Sequence, residues 1–195
     1  MVSVGIDEVG RGSWAGPLVV GAVILNARLA GLRDSKVLTK AQRLILDGKI
    51  RRVAAACSLG WVWPEELDKL GLTAGTTLAI NRALEQISID YDEIIIDGHI
   101  NFIADNPKSR TLIKADSLVL SVSAASIVAK VARDKYMEEM AKEYAEYGFN
   151  RHVGYGTKLH QDMINEYGIC EIHRKSYKPI KLLIEKGDNY GVNPT

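Results

Sequence analysis

Residues 2–25 read VSVGIDEVGRGSWAGPLVVGAVIL, and this stretch decides the fold. Residues 2–6 are a short β-rich run, and residues 17–25 are a longer one. Between them lies a glycine-rich connection, residues 10–16. Two strands so close in sequence predict an antiparallel pair whose connection is too long for a minimal hairpin. The first run ends in two acids, Asp7 and Glu8.

The remaining elements follow from periodicity and punctuation. Thr39-Lys40-Ala41-Gln42 reads as a capping box opening a helix to about residue 55. Residues 57–63 are a third strand, stopped by Pro64, which suits the first turn of a short helix to residue 70. Residues 73–87 are predicted helical. Residues 93–96 form a short apolar strand ending in Asp97-Gly98, and residues 111–115 another ending at Asp116. A long helix is predicted over residues 121–147, closed by Gly148, and a further one over 158–167. Strands first, then alternating helices and strands, predict an α/β fold: a mixed sheet flanked by helices.

Size and composition set bounds. A chain of 195 residues suits one domain, and 47% hydrophobic residues suffice for a core without disulfide or metal staples. Cys57 and Cys170 are too few for a disulfide framework and lack the neighbours of a structural zinc site. No apolar stretch approaches a membrane span, and the first residues do not read as a signal peptide. A soluble, cytoplasmic protein is expected. The net charge of +1 does not advertise nucleic-acid binding, so any basic surface must be local.

The chemistry lies in the acids. Asp7 with Glu8, Asp97 and Asp116 each end a predicted strand, where open α/β sheets place their ligands. Any one of them could simply start a turn. In the long helix, Ile127, Val131 and Asp134 share one face, so Asp134 turns towards the protein. Either a metal shared with the other acids, or an ion pair with Lys130 or a nearby arginine, would neutralise it. Hard oxygen ligands with few His or Cys suit Mg²⁺ or Mn²⁺. Neighbours in a regular strand face opposite sides, so Asp7 and Glu8 can share one site only if the strand bends there, and the following Gly10-Arg11-Gly12 is expected to allow that bend.

Taken together, Asp7-Glu8-Val9-Gly10-Arg11-Gly12, Asp34-Ser35-Lys36, Asp97-Gly98, Lys114-Ala115-Asp116-Ser117, residues 123–134, Gly154-Tyr155-Gly156-Thr157 and His173-Arg174-Lys175-Ser176-Tyr177 resemble the ribonuclease HII family, over residues 4–181. The resemblance implies a single ribonuclease H-like catalytic domain, with residues from about 150 to 195 forming a small C-terminal helical extension that binds substrate. It implies a site of Asp7, Glu8, Asp116 and Asp134 holding two Mg²⁺ or Mn²⁺ ions. Asp97 belongs to the pattern as the residue that holds a turn. Gly10, Arg11 and Gly12 would meet the ribose 2′-hydroxyl, Tyr155 the neighbouring sugar, Lys36 a phosphate, and the basic run containing Arg174 the nucleic-acid backbone. The implied activity is hydrolysis of RNA in RNA–DNA hybrids and incision 5′ of single ribonucleotides in duplex DNA. A monomer is expected, with a sliding clamp as an open partner. The alternatives are a catalytically inactive hybrid-binding module, another nuclease on the same fold, and an α/β domain whose acids only cap turns.

Overall fold

The computed structural model describes residues 1–27, 29–32 and 37–186. The two runs that open the chain pair as expected. β1 (Ser3–Val9) and β2 (Leu18–Leu25) are antiparallel, with Asp7 opposite Gly21 and Glu8 opposite Val20. β3 (Ala54–Val62) extends the pair antiparallel on one side; β4 (Glu93–Asp97) and β5 (Ser109–Leu112) add parallel strands on the other. The five-stranded order is β3-β2-β1-β4-β5, the mixed sheet that the element order predicts.

α1 (Lys40–Val53) begins at the predicted capping box: the Gln42 amide donates to Thr39 Oγ1 at 3.2 Å and the Thr39 amide to Gln42 Oε1 at 2.8 Å. It stops at Val53, short of residue 55, because Ala54 and Ala56 already pair with β2. The helices predicted on either side of residue 71 form one bent element, α2 (Pro64–Leu84), broken where Gly71 takes φ 77°. The strand expected over 111–115 is a correction. β5 ends at Leu112, Lys114 adopts a left-handed φ of 59°, and Asp116 stands in the first turn of α3 (Ala115–Leu118), not at a strand end. α4 (Leu120–Glu143) and a 3₁₀ turn (Ala145–Tyr147) fill the predicted long helix, closed by Gly148 at φ 68°. α5 (Phe149–His152), α6 (Lys158–Tyr167) and α7 (Lys178–Lys186) follow. Among the described residues no helix is long and apolar enough to cross a membrane.

Strand alternation sorts the core. Val4, Ile6, Val20, Ala22, Ile94 and Ile96 face α2 through Leu67, Ala79 and Ala83. On the other face, Val23 meets α1 and α4 through Ile50, Ala125 and Val128, and Ile95 meets Val122. A third cluster joins Met137 near the end of α4 to Ala15, Phe149, Ile164, Ile172 and Ile180. α4 lies unusually close to β1 and β2. A Cβ on Gly5 would land inside the Ser121 backbone, and one on Gly21 inside that of Ala125. Gly5→Ala should therefore push the helix off the strand and cost about 1–3 kcal/mol, as overpacking does. A lower urea midpoint with an unchanged denaturant slope would report it.

Candidate active site

Asp7 and Asp97 meet because of register. β1 and β4 run parallel with Ile6 beside Ile96, so the next residues of the two strands emerge side by side. Both follow apolar residues of the α2-facing set and so turn towards α4. Asp116 joins them from the first turn of α3. Asp97 Oδ1 accepts from the Ala115 amide at 2.6 Å, which ties the end of β4 to the residue before Asp116. The three carboxylates offer oxygens that all lie within 4.8 Å of one another, and Asp7 and Asp116 are buried. Asp97 thus has the turn-holding role expected of it and also stands inside the cluster. The signal in the sequence was its place at a strand end; what sequence reasoning missed was the parallel register that sets it beside Asp7.

The electrostatics fit a cation. Burial is the largest influence on Asp7 and pushes its carboxyl up from 3.8 to about 8. A hydrogen bond with Ser126 of α4 opposes the rise, while the charges of Glu8 and Asp97 add to it. An all-oxygen donor set held this close suits a hard divalent ion such as Mg²⁺ or Mn²⁺.

The other two expected acids stand apart. β1 runs on to Val9 without bending at Asp7, so Glu8 faces the opposite side of the sheet. There its Oε1 lies 3.5 Å from Arg11 Nη1, and the Arg11 guanidinium sits 4.9 Å above the Phe102 ring. Burial raises the Glu8 carboxyl, Arg11 lowers it, and Asp97 raises it again, so Glu8 still feels the cluster. Asp134 does turn inward, as its helix face predicts, but its partners are cations: Lys130 Nζ at 2.7 Å and Arg43 Nη2 at 3.9 Å. The ion-pair reading of Asp134 is the arrangement observed here.

The glycine loop after β1 is held by two buried arginines. Arg133 donates to Pro17 O (2.9 Å), Ala15 O (3.1 Å) and Val153 O (2.8 Å), so one guanidinium grips both the loop and the segment before Tyr155. Its Nε also fills the place a Cβ on Gly10 would take, and Gly10 has φ 86°. Arg174, expected to contact the nucleic-acid backbone, is fully buried instead. It donates to Gly16 O (2.8 Å), Arg11 O (3.2 Å) and Tyr177 Oη (2.8 Å), and Tyr177 donates to Arg11 O at 2.7 Å. In this structure Arg174 braces the loop from behind. Gly12, by contrast, is exposed, with open space where a Cβ would stand.

Tyr155 is half-buried, 5.6 Å over Arg133. Its carbonyl accepts from His160 Nδ1 at 3.0 Å. His160 Nε2 lies 3.0 Å from His173 Nε2, and His173 Nδ1 accepts from the Cys170 amide at 2.9 Å. These bonds assign both rings as neutral: His173 donates through Nε2, and His160 accepts there and donates through Nδ1. Burial agrees, drawing His160 down to about 4 and His173 to about 3. The Trp14 and Ala15 amides donate to Gly154 O at 2.8 and 3.3 Å, knitting the two loops together. Positions 152, 160 and 173 share no period, so nothing in the sequence announces this network. Lys36 lies outside the described residues.

Comparison with known proteins relates the chain to a family. The family model for ribonuclease HII matches residues 4–180. The ribonuclease HII of Vibrio vulnificus (strain YJ016) is 45% identical over 179 residues, covering 91% of this chain and 86% of that protein. The ribonuclease H2 of Pyrococcus horikoshii OT3 superposes with a TM-score of 0.82 at 27% identity, over 97% of this chain and all of that one. The ribonuclease HII of Archaeoglobus fulgidus, solved as a complex with PCNA, superposes at 0.75 with 25% identity, over 91% and 96%.

One pH dependence follows. Between about pH 4 and the raised pKa near 8, the metal-free folded protein keeps a proton on Asp7 that the unfolded chain gives up. Metal-free stability therefore falls as pH rises through that window. An ion at this carboxyl must expel the proton, so Mn²⁺ affinity should rise by up to about tenfold per pH unit towards pH 8. Calorimetry in buffers of different ionisation enthalpy should detect about one proton released per ion bound at the low end of the range.

Proposed function

The chain belongs to the ribonuclease HII family, endonucleases that hydrolyse RNA in RNA–DNA hybrids, and on that premise we propose that it also incises duplex DNA 5′ of a single embedded ribonucleotide. The observation that carries this reading is the convergence of Asp7, Asp97 and Asp116 within 4.8 Å, three residues before the glycine loop that starts at Gly10.

Asp7, Glu8, Asp116 and Asp134 would hold two Mg²⁺ or Mn²⁺ ions, Glu8 by swinging its longer side chain round the end of β1 away from Arg11, with Asp97 fixing Asp116 through the Ala115 amide. Bound there, such ions supply an activated water and stabilise the departing 3′-oxygen, giving 5′-phosphate and 3′-hydroxyl ends. The chain's own work is placement. Gly10, Arg11 and Gly12 present backbone to the 2′-hydroxyl, the group that distinguishes RNA from DNA at one nucleotide. The open space at Gly12 supports this, since no group of the described chain demands a glycine there. Tyr155 packs on the next sugar, and Lys36 takes a phosphate. Arg174 contributes by holding the Arg11 carbonyl in place. Lys175, Lys178 and Lys181, on or next to α7, offer their charges to the backbone, so binding is salt-dependent and independent of sequence.

We read the chain as one catalytic domain whose residues from about 150 onward form a substrate-binding helical extension, acting as a monomer in the cytoplasm. The clamp complex of the Archaeoglobus relative makes a sliding clamp the partner to test first.

The experiment is incubation with Mg²⁺ and an end-labelled duplex containing one ribonucleotide, followed by mapping of the cut. A single incision on the 5′ side is expected, with Asp116→Asn at least about a hundredfold slower and an all-DNA duplex left intact. Cutting of the all-DNA duplex would point to another nuclease activity on this fold and refute 2′-hydroxyl reading.

A further inference from the structure

Asp134 carries two cations of different character. Arg43 is tethered, because its Nη1 also donates to Leu38 O at 2.6 Å and its Nη2 stands back at 3.9 Å from the carboxylate. Lys130 is the closer and freer one. It sits one helical turn before Asp134 on α4, with its Nζ 2.7 Å from Asp134 Oδ1, and a flexible four-carbon stem carries that ammonium. Its side chain is 22% exposed, so it has a way out to solvent. It also has somewhere to go, since the face of the Tyr155 ring lies 6.0 Å from the same ammonium, at the reach of a cation–π contact. With Arg43 and Lys130 standing 3.9 and 2.7 Å from Asp134, a divalent ion arriving there would meet two like charges.

We propose that Lys130 is the resident counter-ion of Asp134, and that a divalent ion binds at Asp134 by displacing this ammonium towards Tyr155. This rests on the reading of Asp134 as a residue that holds an ion. Lys130 then couples two events. While it is seated it keeps a half-buried carboxylate neutral in the metal-free protein. Once displaced, it adds a positive charge beside the residue that faces the substrate sugar.

The test is Mn²⁺ titration calorimetry on the intact metal-free protein, comparing wild type with Lys130→Gln, Lys130→Arg, Asp134→Asn and the Lys130→Gln/Asp134→Asn double variant. Thermal unfolding of each variant confirms that it is folded. Lys130→Gln should bind Mn²⁺ about three- to tenfold more tightly, the effect of removing one partly exposed ion pair. Lys130→Arg should stay near wild type, and the gain should vanish in the Asp134→Asn background. Unchanged or weaker binding by Lys130→Gln overturns the proposal, as does a gain that survives Asp134→Asn. If Asp134→Asn alone leaves Mn²⁺ binding untouched, the reading of Asp134 as an ion-holding residue has failed; if it weakens binding while Lys130→Gln brings no gain, only the displacement proposal has failed.

Discussion

Like charges a few ångströms apart repel by about 4 kcal/mol at the effective dielectric of a protein, and more where water is scarce. The corner formed by β1, β4 and α3 sets that repulsion beside a larger cost, the burial of Asp7, which keeps a proton on its carboxyl in the metal-free protein. Asp7, Asp97 and Asp116 are forced together by the parallel register of two strands and the short turn of a third element. The close seating of α4 over Gly5 and Gly21 then takes water from Asp7. The stability that supports the corner comes from the apolar clusters on both sheet faces. A cation at this corner would offset the cost of holding the carboxylates together.

Around that corner, rigidity is supplied by buried groups. Arg133 and Arg174 are fully buried, and between them they bind the carbonyls of Arg11, Ala15, Gly16, Pro17 and Val153. Val153 needs such a hold, since it carries a left-handed φ of 44° that a β-branched residue rarely adopts. The neutral histidines beneath Tyr155 fix its carbonyl in turn. The glycine loop after β1 and the loop bearing Tyr155 are thereby tied to one another.

What was legible in the sequence is what local rules govern. The strands either side of the glycine loop, the capping box at Thr39, the break at Gly71 and the stop at Gly148 each follow from residues within a few positions. What was not legible depends on distant partners. Asp116 sits in a helical turn because Lys114 takes a left-handed conformation that lysine does not advertise. Arg174 looks like part of an exposed basic run, yet its partners Gly16 and Arg11 lie 158 and 163 residues away. The inward turn of Asp134 was legible on its helix face, whereas its second cation, Arg43, stands 91 residues away in sequence. The bend that Gly10-Arg11-Gly12 would allow after Asp7 is not taken, because β1 stays in register with β2 as far as Val9.

The central claim is that the corner of Asp7, Asp97 and Asp116 is where a divalent ion is held. Anomalous diffraction from crystals soaked in Mn²⁺ tests it most directly. The account predicts a peak among the carboxylates of Asp7 and Asp116, on the α4 side of the sheet, which disappears in Asp7→Asn. Saturating Mn²⁺ with no peak in that corner, or with its strongest peak elsewhere on the protein, would contradict it.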